Sequence, residues 1–393
     1  MPELLYAGFD TLEVSFQGAL KSESLEVLRN AKDEASQTRE DQLIGVGPGN
    51  VEGHVPAHGM TGGYAFVFDT GFMGEQWTFM DSEDTSRWNI AVKVRAANLA
   101  CHSYQEIKER IQQRLTDIGC IALQESIRRA DFAMDFLMPE DFELNQDQVV
   151  AHSHSKVSSH WGEKDAGSEK QNHPSTVFRG RKLESITIGK MPGRQVIIYN
   201  KRKAAIEKQT PFWFKVWDID PKDTTKHVWR VEFRAGKKEL KDKYNLRSFK
   251  DFEDSIGDVF VNTAEKIRYI DDGQSVSNIS RANPHPLWEA ARATLDDNLF
   301  QFRSGLLPGQ LKEVIREYQE KIYWQQILGN AASLTVTKGL RKKDIISTFP
   351  QEISDGIRNI AKDANSTFWK SHFRASRQLF FIKDSDELNP SLE

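Results

Sequence analysis

The sequence predicts an α+β protein: an antiparallel sheet platform with helices packed on it, followed by a helical C-terminal region. Three observations predict this class. Short runs alternating between apolar and polar residues recur, separated by turn residues, up to about residue 235. A helix–strand–strand rhythm occurs twice over that stretch, compatible with a duplicated strand–helix–strand unit. From about Ser248 the apolar spacing becomes helical. The boundaries implied are an α+β domain over 1–250, with 140–175 as a flexible loop or insertion, and a helical region over 251–393.

Taken in order, Phe9–Phe16 reads as a strand and 23–42 as a helix rich in Glu, Leu, Lys and Ala. Gly45–Gly63 is glycine-rich and reads as a loop whose only candidate ligands are His54 and His58. Strands follow at Tyr64–Phe68, Gln76–Phe79 and Asn89–Val94. Ser103 is a good N-cap for an amphipathic helix to Ile118, with Ile107, Ile111 and Leu115 at helical spacing and Gly119 as its stop. Further strands are expected at Ser126–Phe136, Ser185–Gly189, Gln195–Tyr199, Phe212–Trp217 and His227–Arg234. Helices are expected over 248–271, 286–301 and 308–329, with shorter ones to about 377; Asn283-Pro284-His285-Pro286 punctuates them. The acidic last ten residues are expected to fray.

With 393 residues the chain can bury a substantial core, and its 28% charged residues are ordinary for a globular protein. The start Met1-Pro2-Glu3-Leu4-Leu5 lacks the basic and apolar stretches of a signal peptide, and no apolar run approaches the roughly 20 residues that cross a bilayer. Cys101 and Cys120 are too few for a disulfide framework, so a reduced cytoplasm is the expected compartment, with no membrane partner. Net charge is −4, yet Thr176–Lys250 holds 20 Lys/Arg against 8 Asp/Glu, leaving 33 against 49 elsewhere. Such asymmetry points to a polyanionic partner.

Three strands carry candidate chemistry. In Arg129-Ala-Asp131-Phe-Ala-Met-Asp135-Phe136, Arg129, Asp131 and Asp135 share one face while Phe132, Met134 and Phe136 enter the core. Two carboxylates on one face need a cation between them, either a hard metal such as Mg²⁺ or Mn²⁺ or an arginine. In Val228–Arg234, Arg230, Glu232 and Arg234 alternate with Trp229, Val231 and Phe233. This is either a row of ion pairs or a metal ligand between two phosphate-binding arginines. In Gly8–Val14, alternation puts Asp10 on the face of Leu12, Val14 and Phe16, an acid that needs a partner. Tyr199 ends the apolar strand Val196-Ile197-Ile198 and runs into Asn200-Lys201-Arg202-Lys203. Its phenol, ordinarily near pKa ~10, becomes a nucleophile only where positive charge stabilises the phenolate.

Gly8-Phe9-Asp10-Thr11-Leu12, Arg129-x-Asp131-x-x-x-Asp135, Ile188-Gly189 followed by Ile198-Tyr199-Asn200-Lys201, and Arg230-Val231-Glu232 stand in the order found in one family. Over roughly residues 8–250 the chain resembles the replication initiation factor family, the tyrosine-dependent initiators of rolling-circle plasmid replication and related relaxases of conjugative elements. The resemblance implies a metal-dependent endonuclease and strand transferase that nicks one strand of origin DNA, keeps the 5′ phosphate on tyrosine and leaves a 3′ hydroxyl primer. Tyr199 matches the family's tyrosine strand, Asp10 and Asp135 its metal-binding acids, and Glu232 the acid of the Arg-x-Glu strand. On this reading Tyr199, Arg230 and Lys201 are catalytic. Arg202, Lys203, Arg234, Arg194 and Lys190 bind DNA, and Asp10, Asp135, Asp131 and Glu232 hold Mg²⁺ or Mn²⁺. Expected partners are origin DNA, single-stranded at the nick, a second copy of the chain, and a separate host helicase, because no phosphate-binding ATP loop is present. Where family members carry an acid or a second tyrosine just after this strand, Lys201-Arg202-Lys203 intervene and Glu207 is the next acid. If the family's nucleophile aligns with Lys203, the chain is a DNA-binding regulator that does not cut. A hydrolytic metal nuclease with a structural Tyr199 is the third alternative.

His152, His154 and His160 lie among Ser, Lys and Gln, unlike a two-histidine metal strand, and read as loop. The interleaved aromatics of Phe212–Trp217 are suited to stacking on bases or to burial on both faces, and Thr337–Lys343 is a basic helix start able to meet phosphates.

Overall fold

The structure is a computed structural model that describes residues 1–151, 157–158, 178–179, 182–271, 282–339, 341 and 344–362. Its strands are β1 (Glu3–Leu20), β2 (Gln42–Val46), β3 (Val51–Val55), β4 (Tyr64–Asp69), β5 (Glu75–Met80), β6 (Ile90–Val94), β7 (Cys120–Met138), β8 (Val149–Ala151), β9 (Val157–Ser158), β10 (Phe178–Arg179), β11 (Lys182–Leu183), β12 (Ser185–Gly189), β13 (Arg194–Asn200), β14 (His227–Gly236) and β15 (Ile267–Tyr269). The helices are α1 (Ser22–Thr38), α2 (Ala96–Cys101), α3 (Tyr104–Ile118), α4 (Lys201–Glu207), α5 (Phe212–Val216), α6 (Phe249–Lys266), α7 (Pro286–Leu295), α8 (Pro308–Thr337) and α9 (Asp344–Lys362).

Eleven strands form one sheet in the order β2-β3-β4-β5-β6-β1-β7-β14-β13-β12-β9, with antiparallel neighbours throughout. The order has an internal logic. β1 is the first strand of a unit whose last strand, β6, returns to pair with it; β7 opens a second unit whose last strand, β14, does the same. The two units meet along the long β1–β7 pair, so the expected antiparallel platform is present and its topology repeats.

One face of the sheet is apolar. Phe132, Met134, Phe136, Val231, Phe233, Val196 and Ile198 bury there against Leu25 and Leu28 of α1, Ile107, Ile111 and Leu115 of α3, Phe252, Ile256 and Phe260 of α6, and Trp288 of α7. Helices α6 and α7 thus belong to the same core as the strands, and residue 250 does not divide two cores. The opposite face carries Tyr6 and is partly covered by α2, α4, α5 and the first turn of α8 through Ala97, Ala205, Trp213 and Leu311.

Several local expectations change. Phe212–Val216 is a helical turn, because Pro211 fixes its start and Trp213 and Trp217, four apart, fall on one side. The glycine-rich stretch 45–63 contains β3 and the end of β2, paired from Gln42↔Val55 to Val46↔Val51. The helix expected to run to 271 ends at Lys266, where Ile267–Tyr269 pairs with Val149–Ala151. The helix from 308 continues to Thr337. Ser103 caps α3 as expected, in a reciprocal capping box with Glu106. The histidines 152, 154 and 160 lie outside the described residues, as does part of 337–343. No helix among the described residues is long and apolar enough to cross a membrane.

Asp10 is the most consequential change. Phe9 pairs with Phe132 and Thr11 with Asp131, so the register shifts between them and Asp10 is the extra residue of a bulge. The bulge reverses the alternation. Ala7 and Phe9 face the core before it, and Leu12, Val14 and Phe16 face the core after it. Asp10 is therefore not on their face but on the opposite one, with Tyr6.

Candidate functional site

The polar residues of β1, β7, β14 and β13 meet on the sheet face opposite the core. Strand register decides which meet: Tyr199 lies opposite Arg230, Arg230 opposite Asp135, Arg234 opposite Asp131, and Tyr6 opposite Asp135. Cross-strand neighbours of this kind are close enough for direct contact.

Arg230 is the centre and is fully buried. Its Nε donates to Asp135 Oδ1 at 2.5 Å, Nη2 to Asp135 Oδ2 at 2.8 Å, and Nη1 to Asp10 Oδ1 at 2.6 Å. Trp217 Nε1 also donates to Asp135 Oδ2, at 2.8 Å. The Trp213 ring covers the guanidinium, with 4.2 Å from Cζ to the ring centroid. Burial pulls the arginine's pKa down, but Asp135, Tyr199 and Asp10 outweigh it and raise the group well above its usual value.

A second row runs beside the first. Arg234 Nε donates to Glu232 Oε1 at 2.7 Å and lies 3.7 Å from Asp131 Oδ2. Asp131 also accepts from Arg129 Nε at 2.9 Å and Nη2 at 2.7 Å. Tyr199 is 5% exposed, and its hydroxyl donates to Glu232 Oε2 at 3.3 Å. Burial pushes the phenol well above its usual range, with Arg230 pulling the other way. Glu232 is the reverse case: burial would raise it, but Arg234 and Arg230 bring it down to about 2.

The basic turn after Tyr199 is the start of α4, where Asn200 caps the helix by accepting from Lys203 N at 3.0 Å. That cap turns Lys201 back over the sheet. Its Nζ lies 4.3 Å from the Trp213 ring centroid and 5.8 Å from that of Tyr199. Burial, with Arg230 beside it, lowers Lys201 to about 7. An amine so tuned can take up or give a proton at neutral pH.

Tyr199, Arg230, Lys201, Asp10, Asp135, Asp131, Glu232 and Arg234 are thus brought into one network. The other expected DNA-binding residues are not. Arg202 donates to the carbonyls of Pro221 and Asp223 at 2.9 and 3.0 Å, and Lys203 pairs with Glu184 at 2.9 Å. Arg194 lies 3.8 Å from Glu239, and Lys190 is exposed on the β12–β13 turn.

The four acids do not form the expected metal shell. Both oxygens of Asp135, Asp131 and Glu232 accept hydrogen bonds within the network, and a guanidinium stands between Asp10 and Asp135, where a shared cation would lie. Among the described residues no three His, Cys, Asp or Glu side chains group as a metal site. This donor set does not fit Mg²⁺ or Mn²⁺, which need carboxylate oxygens free to coordinate.

Sequence reasoning missed Tyr6, and it singled out the stretch holding Trp213 and Trp217 for stacking or burial but as a strand. The tryptophans' four-residue spacing was the available signal. Tyr6 gave none: its hydroxyl is buried without a hydrogen-bond partner among the described residues, and its ring meets Trp213 edge-on at 5.2 Å. A cavity of about 640 Å³ bounded by Met1, Phe142, Gln148 and His285 contains none of the network residues.

No family model matches the sequence, and no curated protein is similar to it. A rolling circle replication initiator protein from Geobacillus stearothermophilus is structurally similar at a TM-score of 0.38 and 13% identity, over 74% of this chain and 96% of that one. A likeness this distant carries no argument about fold or activity.

Proposed function

We propose that this protein is a rolling-circle replication initiator or relaxase-like enzyme that nicks one DNA strand through Tyr199. The observation that supports it is the Tyr199 hydroxyl held on Glu232 at 3.3 Å, on one sheet face with Arg230 and beneath Lys201. The phenol oxygen attacks a phosphodiester phosphorus, the bond from phosphorus to the 3′ oxygen breaks, and the 5′ phosphate remains on Tyr199. The neutral Lys201 amine accepts the phenol proton, and the resulting ammonium returns a proton to the leaving 3′ oxygen. Glu232 orients the hydroxyl, and Arg234 and Arg230, by holding its carboxylate below the usual range, weaken it as a base. Arg230 and Arg234 supply positive charge to the developing phosphorane. Retaining the strand as a phosphotyrosine conserves the bond energy for rejoining. With Trp213 over Arg230 and Lys201, entry of the strand requires this ring to move aside.

A second reading, a DNA-binding regulator that does not cut, is favoured by the carboxylates' saturation with arginine and by the depth of Tyr199. Incubation with supercoiled DNA of the replicon that carries the gene, followed by denaturing gel and mass spectrometry, separates the two. A covalent protein–DNA adduct that disappears in Tyr199→Phe supports the nicking reading. Cleavage that survives Tyr199→Phe sinks the tyrosine mechanism, and binding without cleavage establishes the regulator.

A further inference from the structure

The row of charges that ends on Tyr199 continues past Asp131 to the surface. Arg129 Nη1 lies 3.9 Å from Glu13 Oε1, and Lys93 Nζ lies 3.7 Å from the same oxygen. From Lys93 inward the signs alternate through Glu13, Arg129, Asp131, Arg234 and Glu232. Register sets the cross-strand steps, with Glu13 opposite both Lys93 and Arg129, and Asp131 opposite Arg234. Side-chain exposure falls from 36% at Lys93 to 1% at Asp131 and Glu232, so water cannot answer the inner charges. Buried ion pairs are often no more stabilising than apolar side chains of similar volume. Stability alone therefore gives little reason for this row.

Its inner end suggests another. Glu232 divides its carboxylate: Oε1 accepts from Arg234 Nε at 2.7 Å, and Oε2 accepts from the Tyr199 hydroxyl at 3.3 Å. A guanidinium readily takes both oxygens of one carboxylate, and here that would displace the phenol. Two groups draw Arg234 the other way. Asp131 Oδ2 lies 3.7 Å from its Nε, and Gln195 Oε1 accepts from its Nη1 at 3.4 Å. Asp131 exerts this pull only as an anion. Burial favours its neutral form, and Arg129 and Arg234 oppose that. Arg129 does so through a fork, Nε to Oδ1 at 2.9 Å and Nη2 to Oδ2 at 2.7 Å.

We infer that Asp131, fixed by Arg129, is a positioning residue for Tyr199: it draws the Arg234 guanidinium toward Glu232 Oε1 and so leaves Oε2 to the phenol. Both residues act through Arg234 and Glu232. The inference rests on the nicking reading for the reaction that the positioned hydroxyl serves.

Fluorine NMR of the full chain carrying 3-fluorotyrosine tests it, with Tyr199 assigned as the one of eight tyrosine resonances lost in Tyr199→Phe. Asp131→Asn keeps the shape and removes the charge. Its Tyr199 resonance is expected to shift, while tyrosines away from this sheet face stay in place. Single-turnover adduct formation at saturating DNA should fall about 10- to 100-fold, as expected for a reacting group displaced by on the order of 1 Å. The DNA concentration at half-saturation should stay within about 2-fold of wild type, because uniform binding is untouched. Arg129→Lys keeps a charge and loses the fork. It should give the same pattern more weakly, and it carries the test if Asp131→Asn does not fold. A row that merely holds strands together lowers the thermal midpoint and leaves the Tyr199 resonance unmoved; that result overturns the inference. So does a shifted resonance with an unchanged rate of adduct formation. A shifted resonance in a protein whose wild type forms no adduct overturns the nicking reading alone.

Discussion

Arg230 makes three hydrogen bonds to two carboxylates and has no contact with solvent. Removing it leaves the buried Asp135 facing the half-buried Asp10 with no cation between them, so Arg230→Ala should lose about 3–5 kcal/mol of stability in urea unfolding. Arg230→Lys should recover only part, because an ammonium cannot reproduce the bidentate contact to Asp135. Lys201 makes a different prediction. Its folded pKa is about 7, below the ~10.4 of an unfolded lysine. Between these values the unfolded chain binds more protons, so stability rises with pH from about 7 to 10, by an amount on the order of a few kcal/mol. Thermal or urea midpoints measured across that window should climb in the wild type and flatten in Lys201→Met. Under the proposed mechanism single-turnover adduct formation should also rise through about pH 7 as the amine loses its proton, and that inflection should be lost in the same variant. Residue types and their shared faces were legible in the sequence: Arg129, Asp131 and Asp135 on one strand, Arg230, Glu232 and Arg234 on another. The choice between metal and arginine as partner was not, because it depends on which strand lies next to which.

At the scale of elements, the aromatic turn α5 shows where alternation misleads. Phe212-Trp213-Phe214-Lys215-Val216-Trp217 has the composition of a strand, yet Pro211 starts a helical turn that stacks Trp213 and Trp217 at 6.1 Å. Trp217→Phe keeps an aromatic ring but removes one of the two donors to Asp135 Oδ2; about 1–3 kcal/mol should be lost in equilibrium unfolding. Tyr6→Phe removes a hydroxyl that has no hydrogen-bond partner among the described residues, so its stability should stay within about 0.5 kcal/mol of wild type in the same assay. The bulge at Asp10 is the other element-scale finding. Strict alternation puts this acid against the core, whereas one additional residue in β1 turns it to Arg230. Helix α3 was legible in full, since Ser103, Glu106 and Gly119 are local signals that need no distant partner.

Over the whole molecule, the second unit of the sheet and the helices after it share one core. Phe252, Ile256, Phe260 and Trp288 bury with Phe132 and Phe233. A chain ending at residue 250 strips the sheet of α6 and α7 and should fail to give a cooperative thermal transition by circular dichroism. A chain ending at Thr337 keeps both helices and α8, and should retain one.

The sequence by itself determined the class of fold, the face on which each charged residue of β7 and β14 stands, and the segment where positive charge concentrates. Those properties follow from a two-residue side-chain period and from composition, which are local. Only the tertiary structure decided that Asp10 joins Asp135 through Arg230, that Glu232 accepts from Tyr199, and that Trp213 closes over both Arg230 and Lys201. Each of these depends on strands adjacent in the sheet but distant along the chain, or on a bulge that shifts their register. The same pairing makes an arginine, not a carboxylate cage, the cation at the centre of the face.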